Sequence, residues 1–146
     1  MRSILFVCLG NICRSPLAEG YARHRIEALG LDWRVDSAGT GSWHIGKAPC
    51  ERSITIAHKY GIDISAQRAR QITSADAERF DLILALDHNN LTDLHVMGIT
   101  HAKLLGTYGF EGADVPDPYY FKGNDGFEEV FKMIRIAVDT LIEAHR

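Results

Sequence analysis

The run Ser3 to Cys8, SILFVC, is short, continuous and apolar, and rich in strand-favouring side chains. A strand with no polar alternation has no solvent face, so it has to be covered on both sides. That narrows the chain to sheets sandwiched between helices. The residues that follow narrow it further. Gly10 and Asn11 break the run, and Ser15-Pro16 opens a helix with proline in its favoured first turn. Leu17 to Leu29 keeps a helical period, with Leu17, Tyr21, Ile26 and Leu29 on one face and Arg23, Arg25 and Glu27 among the polar positions. Gly30 ends it.

The same alternation continues along the chain. Arg34 to Ala38 reads as a second strand, followed by a glycine-rich loop, Gly39 to Gly46, that carries Trp43 and His44. Ala48 to Tyr60 reads as a helix closed by Gly61, with Cys50 buried on its face. Asp81 to Leu86 (DLILAL) is the next buried strand, Asn90 to Val96 a helix stopped by Gly98, and His101 to Leu105 a weaker strand. Gly106 to Asp125 is expected to be a long loop containing Pro116 and Pro118. Phe127, Phe131, Ile134, Val138 and Leu141, three or four apart, mark a final helix from Phe127 to Ala144. Strands alternating with helices predict an α/β fold with a parallel sheet and helices on both faces. No repeat, low-complexity tract or linker divides the chain, so residues 1–146 are expected to form one domain.

Composition removes several functions. Hydrophobic residues are 46% and charged residues 24%, values of an ordinary globular protein. A net charge of −3 points to neither nucleic acid nor an anionic membrane. No apolar run approaches the ~20 residues of a membrane span. Ile4 to Leu9 is too short for a signal-peptide core and has no cleavage site, so a cytoplasmic location is expected. Three cysteines, an odd number, argue against a secreted disulfide framework. The seven histidines show no metal-ligand spacing, and neither a metal nor another cofactor is expected.

The chemistry concentrates in the loop Cys8-Leu-Gly-Asn-Ile-Cys-Arg-Ser15. In an open parallel sheet, ligands bind where strand C-termini meet helix N-termini, and this loop lies at that edge. Wrapping from Cys8 into the helix at Ser15, it can turn the backbone N–H groups of Leu9, Gly10, Asn11, Ile12, Cys13, Arg14 and Ser15 inward as an anion nest, with the helix dipole behind them. Gly10 permits unusual backbone angles, and Asn11 tolerates left-handed backbone while tying the loop through its amide. The same field favours the thiolate of Cys8, the nucleophilic form. Arg14 adds a permanent cation with a planar fork for two phosphate oxygens. Ser15 is placed to donate a hydrogen bond to the thiolate. The glycine spacing fits no dinucleotide fingerprint, and no Gly-Lys-Ser/Thr follows as in a Walker loop.

The segment VCLGNICRSP, Val7 to Pro16, resembles the low-molecular-weight protein tyrosine phosphatases. The resemblance extends through SAGT (Ser37 to Thr40), Gly61 to Thr73, FDLILALD (Phe80 to Asp87) and VPDPYY (Val115 to Tyr120). It implies a four-stranded parallel sheet flanked by helices, Rossmann-like. It also implies hydrolysis of phosphotyrosine in proteins, and of small aryl phosphates, through a cysteinyl-phosphate. By resemblance Cys8 is the nucleophile, Arg14 the phosphate clamp and Asp117 the general acid and base. Trp43, Tyr119 and Tyr120 would wall an aromatic slot, with Leu9 and Ile12 at its floor and rim; Trp43 packing on the core as an ordinary loop aromatic stays open. Ser37 would brace Asn11, and Asp87 would support the site. Gln67 stands where the family often has histidine and His88 where glutamate is frequent, so bracing from behind carries over only in part. For Cys13, a reversible disulfide with Cys8 and a small residue filling a tight loop both stay open. The implied partners are phosphotyrosine-bearing proteins and a cognate tyrosine kinase, with inorganic phosphate as product.

Three rivals share parts of this pattern. An arsenate reductase of the same fold would need two further cysteines in mid-chain, and none follows Cys50. A protein arginine phosphatase would resemble members with threonine in place of Ile12 and phenylalanine in place of Tyr119. A catalytically dead phosphotyrosine-binding module would have lost Cys8, Arg14 or Asp117, and all three are present.

Overall fold

In a computed structural model, which describes residues 2–120 and 125–146, with only the backbone at 120 and 125, four strands form one parallel sheet in the order β2-β1-β3-β4. They are β1 (Ser3–Cys8), β2 (Arg34–Gly39), β3 (Leu82–Ala85) and β4 (Lys103–Leu104). The helices are α1 (Arg14–Ala28), α2 (Glu51–Lys59), α3 (Asp76–Arg79), α4 (His88–Val96) and α5 (Asp125–His145).

β1 is buried along its whole length and sits between β2 and β3, as an unalternating apolar run must. Its side chains divide between two cores. Ile4, Phe6 and Cys8 join Leu17, Ala22 and Ile26 of α1, Ile56 and Ala57 of α2, and the buried face of α5. Leu5 and Val7 join Phe80, Ile83, Leu94 and Ile99 on the other side. The α5 stripe Phe127, Phe131, Ile134, Val138 and Leu141 is almost wholly buried, as its spacing predicts. Each such side chain contributes about 1.5–3 kcal/mol of hydrophobic stabilisation.

Differences from expectation are local. α2 starts at Glu51 rather than Ala48, so Cys50 is the residue before the helix, half-buried, and not on its buried face. α3 carries no helical period because it is a single turn; at its start the Asp76 carboxylate accepts from the Thr73 amide at 2.9 Å. A 3-10 turn, Leu105–Thr107, leads into the loop expected from Gly106 to Asp125, and a second, Pro118–Tyr120, lies within it. No helix among the described residues is long and apolar enough to cross a membrane.

The sheet order places function. From β1 the chain crosses to β2 on one side and later returns to β3 on the other, so the order in which strands are added switches sides at β1, between β1 and β3. Ligands of open α/β sheets lie in the crevice beyond such a switch. Cys8 ends β1, and Asp87 stands two residues past the end of β3.

Candidate active site

The loop from Cys8 to Arg14 is held from outside by its carbonyls. The Cys8, Leu9 and Ile12 carbonyl oxygens accept from the amides of Thr40 (2.9 Å), Gly41 (2.9 Å) and Cys50 (2.8 Å). Among the described residues no protein acceptor takes the amides of Leu9, Gly10, Ile12 or Cys13. With the orphan first-turn donors of α1, these form a set of N–H groups free for an anion. Gly39 makes the wrapping possible: a Cβ there would stand 2.8 Å from the Leu9 oxygen and 3.1 Å from the Asn11 nitrogen.

Asn11 is the tie. It takes the left-handed backbone its residue type tolerates, φ 56°, and is buried. Its Nδ2 donates to Ser15 Oγ at 2.8 Å and Ser37 Oγ at 2.9 Å, and its Oδ1 accepts from the Arg70 amide at 3.0 Å. Ser37 in turn donates to Glu19 Oε1 at 2.6 Å, and Arg23 donates to Glu19 Oε2 at 2.8 Å. Burial pushes the Glu19 carboxyl up from its ordinary range, against the opposing pull of Ser37 and Arg23. Gln67 takes another role: its Nε2 donates to the Pro16 carbonyl at 3.1 Å, behind the first turn of α1. Asn11→Ala is expected to lose about 2–4 kcal/mol of stability, from orphaned buried partners and a left-handed backbone without its usual residue. Asn11→Gly should recover the backbone part alone, and chemical denaturation of the two variants checks the split.

Cys8 is buried, and its sulfur faces two donors. Ser15 Oγ lies 2.9 Å from Sγ, and the Asn11 amide donates to it at 3.3 Å. Because Ser15 Oγ already accepts from Asn11, its own proton is free for the sulfur.

Arg14 is fixed through one nitrogen. Nη1 donates to Asp87 Oδ2 at 2.7 Å and to the Val115 carbonyl at 2.9 Å, leaving Nε and Nη2 without a protein acceptor among the described residues. Those two form one edge of the guanidinium, the edge that matches two oxygens of a phosphoryl group. Burial alone would lower the Arg14 guanidinium, but the neighbouring Cys8, Asp87 and Asp117 outweigh it and hold it above its ordinary value. Asp87 also caps α4, its Oδ1 accepting from the Asn90 amide at 2.8 Å, so a turn role and a support role coincide in one carboxylate.

A cleft of about 200 Å³ opens over this loop. It is lined by Cys8, Leu9, Gly10, Ile12, Cys13 and Arg14 below and by Trp43, His44, Asp117 and Tyr119 around the mouth. Trp43 is 67% exposed, a wall of the cleft rather than a core side chain. Tyr119 stands edge-on to Phe127 at 5.3 Å between ring centroids. The side chain of Tyr120 lies outside the described residues. Asp117 Oδ1 accepts from the Tyr119 amide at 2.9 Å, which orients the carboxyl and leaves the second oxygen for a ligand. The Asp117 loop is tied to the sheet next door, where the Val115 amide donates to the Leu86 carbonyl at 2.8 Å. Val115 therefore links the Asp117 loop to Leu86, just past the end of β3, through its N–H and to Arg14 through its C=O.

The structure thus brings Cys8, Arg14 and Asp117 to one cleft, sets Asn11, Ser15, Ser37 and Asp87 behind it, and makes Trp43 and Tyr119 its walls. Sequence reasoning missed Glu19, Gly39, His44 and the Val115 carbonyl. Only Gly39 left a signal, inside the quoted SAGT segment. His88, at the doubtful family position, pairs with Asp114 through its side chain.

The family model for low molecular weight phosphotyrosine protein phosphatases matches residues 3–145. The chain belongs to this family. As a family member it is 43% identical to the low molecular weight protein-tyrosine-phosphatase YfkJ of Bacillus subtilis, over 97% of this chain and 94% of that one. It is 40% identical to the low molecular weight phosphotyrosine protein phosphatase of Schizosaccharomyces pombe, over 88% and 86%. The crystal structure of Bacillus subtilis YfkJ matches with a TM-score of 0.91 at 41% identity, over 99% and 94% of the two chains. That of the Drosophila arginine phosphatase DARP matches with a TM-score of 0.91 at 33% identity, over 100% and 98%.

Proposed function

We propose that this protein hydrolyses phosphotyrosine in proteins, and small aryl phosphates, through a phosphorylated Cys8. The observation that carries the reading is one cleft holding a buried, hydrogen-bonded thiol, an arginine edge and an oriented carboxyl. Membership of the family supports it.

In the first step the Cys8 thiolate attacks phosphorus in line with the ester oxygen. The free loop amides and the Nε and Nη2 edge of Arg14 hold the three equatorial oxygens, where charge develops. Asp117 gives its proton to the departing phenolate oxygen. In the second step the Asp117 carboxylate takes a proton from water as the water attacks phosphorus. The thiolate leaves, stabilised by Ser15 and the Asn11 amide, and phosphate is released. Arg14 and the loop supply the positive charge that this transfer requires. The substrate proteins would be products of a tyrosine kinase.

Asp117→Ala is expected to slow the first step by about 10²–10⁴-fold for phenyl phosphate, and much less for p-nitrophenyl phosphate, whose phenolate leaves without a proton. Rapid-quench kinetics with both esters measures the ratio. Equal losses for the two would remove Asp117 from the acid's role.

The likeness in fold to an arginine phosphatase does not separate the two substrates. The cleft lining supports the aryl substrate: Ile12, Leu9, Trp43 and Tyr119 give it apolar and aromatic side chains, and aromatic rings pack favourably edge-on or offset. Turnover of matched phosphotyrosine and phosphoarginine peptides decides between them.

A further inference from the structure

Of the three thiols, the reaction above uses one. The other two meet at the side of the same cleft. Cys13, the last loop residue before α1, lines the cleft with Cys8. Cys50 precedes α2; its amide holds it to the loop by donating to the Ile12 carbonyl at 2.8 Å, and its sulfur shares a bond of 3.0 Å with Ser53 Oγ of α2. Ser53 Oγ also donates to the Cys13 carbonyl at 3.0 Å. Ser53 Oγ thus bridges the Cys50 sulfur and the Cys13 carbonyl, which makes the two cysteines neighbours, and both are half-buried rather than sealed in the core. The neighbouring Cys13 thiol holds Cys50 below the ordinary thiol range, and Cys50 together with burial pushes Cys13 above it.

We propose that Cys13 and Cys50 form a disulfide, reached by thiol exchange, that takes the oxidising equivalents of a peroxide off Cys8. The proposal rests on Cys8 being the nucleophile of the function proposed above. The thiolate of Cys8 attacks one oxygen of hydrogen peroxide, giving the sulfenic acid and hydroxide. The Cys13 thiol then attacks the Cys8 sulfur, forming the Cys8–Cys13 disulfide and releasing water. The Cys50 thiolate attacks the Cys13 sulfur, forming the Cys13–Cys50 bond and expelling the Cys8 thiolate. In sum, one peroxide is reduced and two thiols are oxidised. The direction follows from the leaving group. Cys8 departs into the Ser15 hydroxyl and the Asn11 amide, the donors already positioned on its sulfur, and a well-stabilised thiolate leaves fastest. Cys50 thereby returns the nucleophile to its reactive form without an external reductant.

The test treats the full chain with one equivalent of hydrogen peroxide, then catalase, with no thiol present. Activity on p-nitrophenyl phosphate is followed over time, each protein against its own untreated rate, and tryptic peptides are mapped without reduction. Cleavage after Arg2, Arg14, Lys47 and Arg52 leaves Cys8 and Cys13 on one peptide and Cys50 on another. A Cys13–Cys50 bond therefore joins two peptides, and a Cys8–Cys13 bond does not. The expected result is a joined pair, linked through Cys13 on fragmentation, with a recovered fraction about five-fold or more above that of Cys50→Ser. Cys50→Ser should hold the Cys8–Cys13 bond until dithiothreitol is added. Cys13→Ser should give no disulfide, and its Cys8 should stay at the sulfenic acid, which dimedone labels. A free Cys50 in the oxidised wild type, or a link from Cys50 to Cys8, overturns the proposal. The untreated rate reads the phosphatase function separately, and the peptide map reads the disulfide even where that rate is zero.

Discussion

Cys8→Ser is expected to leave a folded protein that still binds phosphate but turns over p-nitrophenyl phosphate slower by roughly four to six orders of magnitude, the scale of losing a covalent nucleophile. The field around Cys8 suits a thiolate. Ser15 and the Asn11 amide stabilise a sulfur anion at 2.9 and 3.3 Å, but a serine hydroxyl is far too weak an acid for two hydrogen bonds and a neighbouring arginine to ionise it. Were the serine to attack nonetheless, the alkoxide would be a poor leaving group in the second step. Folding should survive, because a hydroxyl fits within the thiol's volume and can bond to the same two partners. Thermal shift with added phosphate checks the binding half of the expectation, and steady-state turnover the catalytic half. Retention of full turnover would mean that the ester is cleaved by another group, and the covalent route through Cys8 would be wrong.

The parts of this fold that were legible in the sequence are those with a strong period or a hard stop. β1 had to be central because no residue in it could face water. α5 announced its stripe from Phe127 to Leu141, and the turns at Gly30, Gly61 and Gly98 all have positive φ. What stayed hidden depends on distance in the chain. Glu19 reads as one more polar residue on a helix; only folding places it behind Ser37, and Ser37 behind Asn11. The carbonyl of Val115 is invisible to any side-chain pattern, yet it sets the angle of Arg14. Cys50 was misplaced for a local reason. The helix expected from Ala48 begins only at Glu51, because Cys50 has a ψ of 146°, outside the helical range. Ahead of the helix, the Cys50 amide donates to the Ile12 carbonyl.

Arg14 separates the charge of the site from its shape. Arg14→Ala is expected to lower kcat/KM by about 10³–10⁵-fold, the range found when an arginine that stabilises a transferring phosphoryl group is removed. Arg14→Lys retains the positive charge, so a purely coulombic role would be largely rescued. The geometry predicts otherwise. Nη1 is occupied by Asp87 and Val115, which leaves Nε and Nη2 as the pair on which the proposed phosphoryl contact rests. A lysine ammonium presents one point of charge and cannot face Asp87 and two equatorial oxygens at once. Drawn toward Asp87, it would leave the cleft to the loop amides alone. Arg14→Lys should therefore recover less than about a tenth of the lost kcat/KM, a residue of charge without the fork. Asp87→Asn tests the other side of the pair. It keeps an acceptor for Nη1 but removes the anion, and should cost about 1.5–3 kcal/mol at most, or one to two orders of magnitude in kcat/KM. If Arg14→Lys were nearly as active as the wild type, the phosphate would be held by charge alone, and the edge left open by Asp87 and Val115 would have no catalytic meaning.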